Sequence, residues 1–105
     1  MTRWIVLAVP VAGVADMDRE AQTVAEFEGN AEEAAAALLE AATGFEHGRR
    51  KARRREVFKA SDRSYFVRLQ GRLSTYGFLI QLAELVHDTD SAPGAHSEVA
   101  SNELE

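Results

Sequence analysis

Cysteine is absent from this chain of 105 residues, which excludes disulfides, thiolate chemistry and cysteine-ligated zinc. That absence fits a protein made for a reducing compartment, and a cytoplasmic location is the expectation. Lysine is scarce, two residues against ten arginines. With the abundant alanine, this usage suggests a high-GC bacterial genome. Long apolar runs are missing as well: no stretch approaches the ~18 residues that a membrane-spanning helix requires. The catalytic signatures are equally thin. There is no Gly-rich phosphate loop and no His-Glu-x-x-His pair. Ser74, in Gly71-Arg72-Leu73-Ser74-Thr75-Tyr76-Gly77, lacks the Gly-x-Ser-x-Gly spacing of a nucleophile elbow. The histidines His47, His87 and His96 are scattered. Only Glu84-Leu85-Val86-His87 has a ligand-like spacing, and only on a helix. No catalytic residue, metal site or cofactor is expected.

What is present is enough for one small domain. Apolar residues form 46% of the chain and charged residues 28%, ordinary globular usage. Net charge is −5, but it is divided into blocks: −7 over residues 1–48, +8 over residues 49–72 and −6 over residues 73–105. Ten of the twelve basic side chains therefore fall in one 24-residue stretch, and a positive patch on so small a fold is nearly unavoidable.

Arg3 followed by the apolar run Trp4–Ala15, with Gly13-Val14-Ala15 as a small-residue stop, has the outline of a signal peptide. Pro10 within the run and the single preceding charge favour a first core strand instead, Trp4–Val9, stopped by Pro10. Ala21–Glu28 alternates apolar and polar residues and predicts a second strand paired with the first.

Asn30-Ala31-Glu32-Glu33 is the clearest local signal, a preferred N-cap with glutamate at N3 and two acids opposing the helix dipole. Ala31–Thr43 are nearly all strong helix formers, and Gly44 is placed to end the helix in the left-handed conformation. Ala31, Ala34, Ala35, Leu38, Ala41 and Ala42 are expected on the buried face, Glu33 and Glu40 on the opposite one, where their carboxylates face water and are not tuned for acid–base work.

After a charged connection, Phe45–Arg54, the segments Arg55–Ala60 and Ser64–Gly71 read as a hairpin around Ser61-Asp62-Arg63. Tyr76–His87 is ambiguous by pattern. Gly77 near its start, no acid at N3 and Asp88 and Asp90 at its end favour a strand over a helix. On a strand Glu84 shares a face with Phe78, Ile80 and Leu82, and Arg68 or Arg72 is its expected partner, unless it is a rim residue whose head reaches solvent. Residues 90–105, with their Ser, Pro, Gly and acids, predict a disordered acidic tail after a single domain, 1–89.

The strongest functional hint is the run Arg49, Arg50, Lys51, Arg53, Arg54 and Arg55, six cations in seven residues. Such a run can meet phosphates or an acidic partner. Arg63, Arg68, Arg72, Tyr65 and Phe66 lie nearby, and cations interleaved with aromatics on a sheet grip single-stranded nucleic acid. The overall negative charge argues instead for pairing with the acidic blocks of this chain or of another subunit.

Phe27-Glu28-Gly29 running into Glu32-Glu33-Ala34, and Leu82-Ala83-Glu84-Leu85-Val86 followed by Asp88, resemble small uncharacterised actinobacterial proteins over most of residues 3–90. The resemblance implies a strand–strand–helix–strands domain and brings no activity with it. The fold expected from the residues is α+β: a mostly antiparallel sheet of about five strands, ordered β-β-α-β-β-β, with one helix on one face. One helix of ~13 residues spans about 20 Å, too little to cover five strands. A non-enzymatic protein-interaction or regulatory module is therefore expected, homodimeric or with a protein partner. Nucleic-acid binding through residues 49–55 is the alternative, and no membrane association is expected.

Overall fold

A computed structural model describes residues 1–13, 20–46 and 52–90. The elements are β1 (Thr2–Ala12), β2 (Gln22–Gly29), α1 (Ala31–Gly44), β3 (Arg54–Ser61), β4 (Ser64–Gln70) and β5 (Thr75–Glu84). All five strands form one sheet in the order β2-β1-β5-β4-β3, every neighbouring pair antiparallel. Of the expected tail, 90–105, residues 91–105 lie outside the described residues, as do residues 47–51. No helix among the described residues is long and apolar enough to cross a membrane.

The order of strands explains the place of the helix. β2 lies at one edge and β3 at the other, so the chain between them must cross the whole sheet. α1, with 14 residues, is about 21 Å long, close to the ~19 Å between the outer strands of a five-stranded sheet. It lies across one face and touches all five strands. The expectation that a helix of this length is too short for five strands therefore does not hold, and the apolar surface it leaves uncovered is on the opposite face. Asn30 caps it: its side chain accepts from the Glu33 N–H, and Glu33 Oε1 accepts from the Asn30 N–H, both at 2.8 Å. The capping box expected from the sequence is thus complete.

The C-terminal end differs from expectation. Gly44 belongs to the last helical turn, and the chain leaves through Phe45 in extended conformation at φ −66°; among the described residues the only glycine with positive φ is Gly13. Phe45 has a buried ring to place, 4.8 Å from that of Phe78, and the extended exit aims it back at the sheet. The buried face of the helix is also narrower than expected. Ala34, Leu38 and Ala42 are buried, with Ala41 packed beside them, whereas Ala31 and Ala35 are exposed. The stripe is centred on Leu38. At 100° per residue Ala35 lies about 60° away on its flank, whereas Ala31 lies in line with the stripe but is the first residue of the helix, in its exposed first turn.

Beneath the helix, strand alternation presents Trp4, Val6 and Ala8 from β1, Val67 and Leu69 from β4, and Phe78, Ile80 and Leu82 from β5, all buried. Trp4 satisfies its indole N–H on the Gly29 carbonyl at 2.9 Å. β5 is a strand, as its flanking residues argued, and sits at the centre of the sheet. β1 does not stop at Pro10 but continues to Ala12. Pairing with β2 ends at Ala8, so Pro10 faces only β5 and forfeits no bond on the β2 side. Glu84 is exposed, as the rim reading has it, and is paired with neither Arg68 nor Arg72. Its partner is Arg63 in the β3–β4 turn, at 3.7 Å, because Arg68 is on the other face of the sheet. Arg63 also lies over the Trp4 ring, 5.2 Å from its centroid.

Candidate interaction surface

The face of the sheet turned away from α1 is the surface the fold leaves open. Register places Ile5, Leu7 and Val9 of β1, Leu79 and Ala83 of β5, Phe66 of β4 and Phe58 of β3 on it. Most of these are half-buried by their neighbours, and Phe58 is 44% exposed. The row is continuous: Val9 opposes Leu79, Leu79 opposes Phe66 and Phe66 opposes Phe58. Gly77 makes this possible. A Cβ there would stand 2.8 Å from Phe66 Cζ, so its absence lets the Phe66 ring lie down on the sheet. The Phe58 ring follows, with centroids 6.0 Å apart.

Charge is arranged around the apolar row. At the β3–β4 end, Glu56 Oε1 accepts from Arg68 Nε at 2.7 Å and from Gln70 Nε2 at 3.3 Å, while Glu56 Oε2 meets Arg54 Nη2 at 3.2 Å. The hydrogen bond from Arg68 holds the Glu56 carboxyl below its ordinary value, outweighing the opposing effect of partial desolvation, and the charge of Arg54 adds to it. Arg68 also lies over the Phe58 ring, 5.3 Å from the centroid. Two cations surround one acid there. At the diagonally opposite corner, Glu26 and Glu28 of β2 stand exposed beside Ile5 and Arg3, and Arg3 is 3.6 Å from Asp88. A hollow of about 310 Å³ opens at that corner. Arg3, Ile5 and Glu26 line it, together with Leu85, Val86 and His87 beyond β5.

The basic run read from the sequence does not stay together where it is described. Arg49, Arg50 and Lys51 lie outside the described residues. Arg53 is exposed, its backbone N–H donating to the Gln70 carbonyl at 2.8 Å. Arg54 joins the open face. Arg55 points to the opposite face, where Nε and Nη2 donate to the Phe45 carbonyl at 3.3 and 3.0 Å and Nη2 lies 3.7 Å from Glu46. Helix α1 has no basic residue in its last turn, and Arg55 brings a cation to the negative end of its dipole. Tyr65 and Phe66 are likewise separated, Tyr65 on the helix side and Phe66 on the open side.

Phe58 and Glu56 were not singled out in the sequence. Their signal lies in the pairing of β3 with β4, which strand alternation alone does not supply. His87 is exposed, and His47 and His96 lie outside the described residues. Among the described residues no cluster of three or more His, Asp or Glu is placed to hold a metal. Comparison with protein-family models, curated proteins and solved structures finds no match for this chain.

Proposed function

We propose that this protein is a non-enzymatic interaction module that presents the open face of its sheet to a second copy of itself. The observation that carries the reading is the apolar row from Ile5, Leu7 and Val9 through Leu79 to Phe66 and Phe58, left uncovered by the single helix. Contiguous apolar surface of this extent is a feature of interfaces rather than of solvated faces. Five strands ~4.8 Å apart and about eight residues long offer a footprint of about 650 Å², near the ~800 Å² per partner of a standard interface. The internal ion pairs around Glu56 and the overall negative charge weigh against nucleic acid as the occupant.

Multi-angle light scattering of the wild type and of Leu79→Lys tests this. Leu79 is only half-buried, so the lysine can be accommodated in a monomer, and circular dichroism verifies the fold. The expected result is a dimeric mass for the wild type and a monomeric mass for the variant. A monomeric wild type, or a variant of unchanged mass, overturns the reading. So does salt-sensitive binding of a labelled single-stranded oligonucleotide that Leu79→Lys abolishes, because the face would then serve nucleic acid.

A further inference from the structure

The charges on the open face stand at opposite ends of a diagonal, and that arrangement specifies how a second copy would lie. Glu26 opposes Ile5, which opposes Ala83, whereas Arg68 opposes Gly77. Ala83 and Gly77 are both on β5. The two corners are therefore three strand spacings and six residues apart, about 14 Å across the strands and about 20 Å along them. The acid corner carries Glu26, Glu28 and Asp88 against Arg3, and the basic corner carries Arg54 and Arg68 against Glu56. Between them, around the midpoint of the diagonal, lie Leu7, Val9 and Leu79, with the polar Gln81 opposite Leu7.

Resting on the self-association just proposed, we infer that the homodimer is isologous, its two-fold axis passing near Leu79 in the plane between the sheets and perpendicular to this diagonal. The acid corner of each copy then covers the basic corner of the other. Neither alternative two-fold achieves this. An axis along the strands keeps each corner at its own height, so Glu26 meets the β3–β4 turn, whose Arg63 is turned to Glu84 and Trp4 on the helix side. An axis across the strands places β2 on β2 and acid on the same edge as acid. The strands make an angle of about 35° with the diagonal, so those of the two sheets cross at about 70°, nearer the orthogonal class of sheet packing than the aligned one.

Shape agrees with charge. The exposed Phe58, with Arg68 over its ring, is the projection of the basic corner. The hollow of about 310 Å³, lined by Ile5, Leu85 and Val86 together with Glu26, Glu84 and Arg3, is the recess of the acid corner. An aromatic ring carrying a guanidinium suits an apolar recess rimmed by a carboxylate. The centre of the contact is formed by Leu7, Val9 and Leu79 with Gln81 beside them, and the two charged corners flank it.

A charge-swap experiment tests the arrangement. One variant, Glu26→Lys/Glu28→Lys, reverses the acid corner. The other, Arg54→Glu/Glu56→Arg/Arg68→Glu, reverses the basic corner while keeping its internal ion pairs with opposite sign, so that folding is retained and can be verified by circular dichroism. Each variant alone is expected to dimerise at least about tenfold more weakly than the wild type at low salt, because like charges then face each other. An equimolar mixture of the two is expected to regain the dimeric mass as a heterodimer, and the recovery should fade at high salt. If both variants dimerise as well as the wild type and show no preference for each other, the arrangement is wrong. The face reading then stands or falls on Leu79→Lys alone, so the two failures are distinguishable.

Discussion

Replacing Leu38 by alanine probes the contact that fastens the helix to the sheet. Leu38 is 1% exposed and sits at the middle of the buried stripe, with Ala34 before it and Ala42 after it. Both neighbours are too small to fill a void, and the sheet beneath is held on both sides by hydrogen-bonded strands, so the site cannot collapse. The cost should therefore lie in the middle of the range for buried leucine, about 3–4 kcal/mol. At an m-value of roughly 1.5 kcal/mol/M, the urea midpoint should fall by about 2 M. Trp4, the single tryptophan, is buried in the same core, so its fluorescence reports the transition at fixed protein concentration. Leu39→Ala is the control: Leu39, one residue along, is 46% exposed and should lose less than about 1 kcal/mol. Equal losses for the two leucines, or a loss below about 1 kcal/mol for Leu38→Ala, would refute the assignment of the buried face.

Three further substitutions have definite expected outcomes. Asn30→Ala removes half of the capping box and should cost about 1 kcal/mol, seen as a fall in Tm of about 4–8 °C. Gly13→Ala should cost more than about 1 kcal/mol by denaturant titration, because Gly13 has φ +69° and a Cβ would run into the Thr75 carbonyl. Glu56→Gln should flatten the acid side of the stability profile measured by urea melts. The folded carboxyl is held below its ordinary value near 4.5, so its contribution is complete above that value. It is lost as pH falls through the lowered folded value, and an unchanged acid slope would exclude Glu56 as its source.

Much of the fold was legible because it is encoded locally. Asn30 and Glu33 announce the helix start within four residues. Gly77 and the acids Asp88 and Asp90 argued correctly that the apolar segment between them is a strand, since a helix would have set negative charge against its own dipole. The end of the helix was not legible. Gly44 is compatible with a left-handed cap, but Phe45 has a place beside Phe78 in the core, and filling it outweighs a local preference. Arg55 illustrates the same limit. Within its basic run it is indistinguishable from Arg53 and Arg54, yet of these three only Arg55 reaches the helix terminus.

The composition of the open face depends on one bulge. Ser61 pairs with Ser64 across the tight turn, and an unbroken ladder from there would set Phe58 opposite Val67, on the helix side. The register instead shifts between Lys59 and Ser61, so that Val57 opposes Val67 and Phe58 opposes Phe66. A one-residue shift moves every side chain of a strand to the other face. Residue order by itself determined that there would be five strands, one capped helix and more apolar surface than that helix can hide. Which aromatic rings are left on the uncovered side, and which arginines stand beside them, was decided by long-range pairing. The energy that selects one register over another comes from packing between segments far apart in the chain, and no stretch of sequence carries it alone.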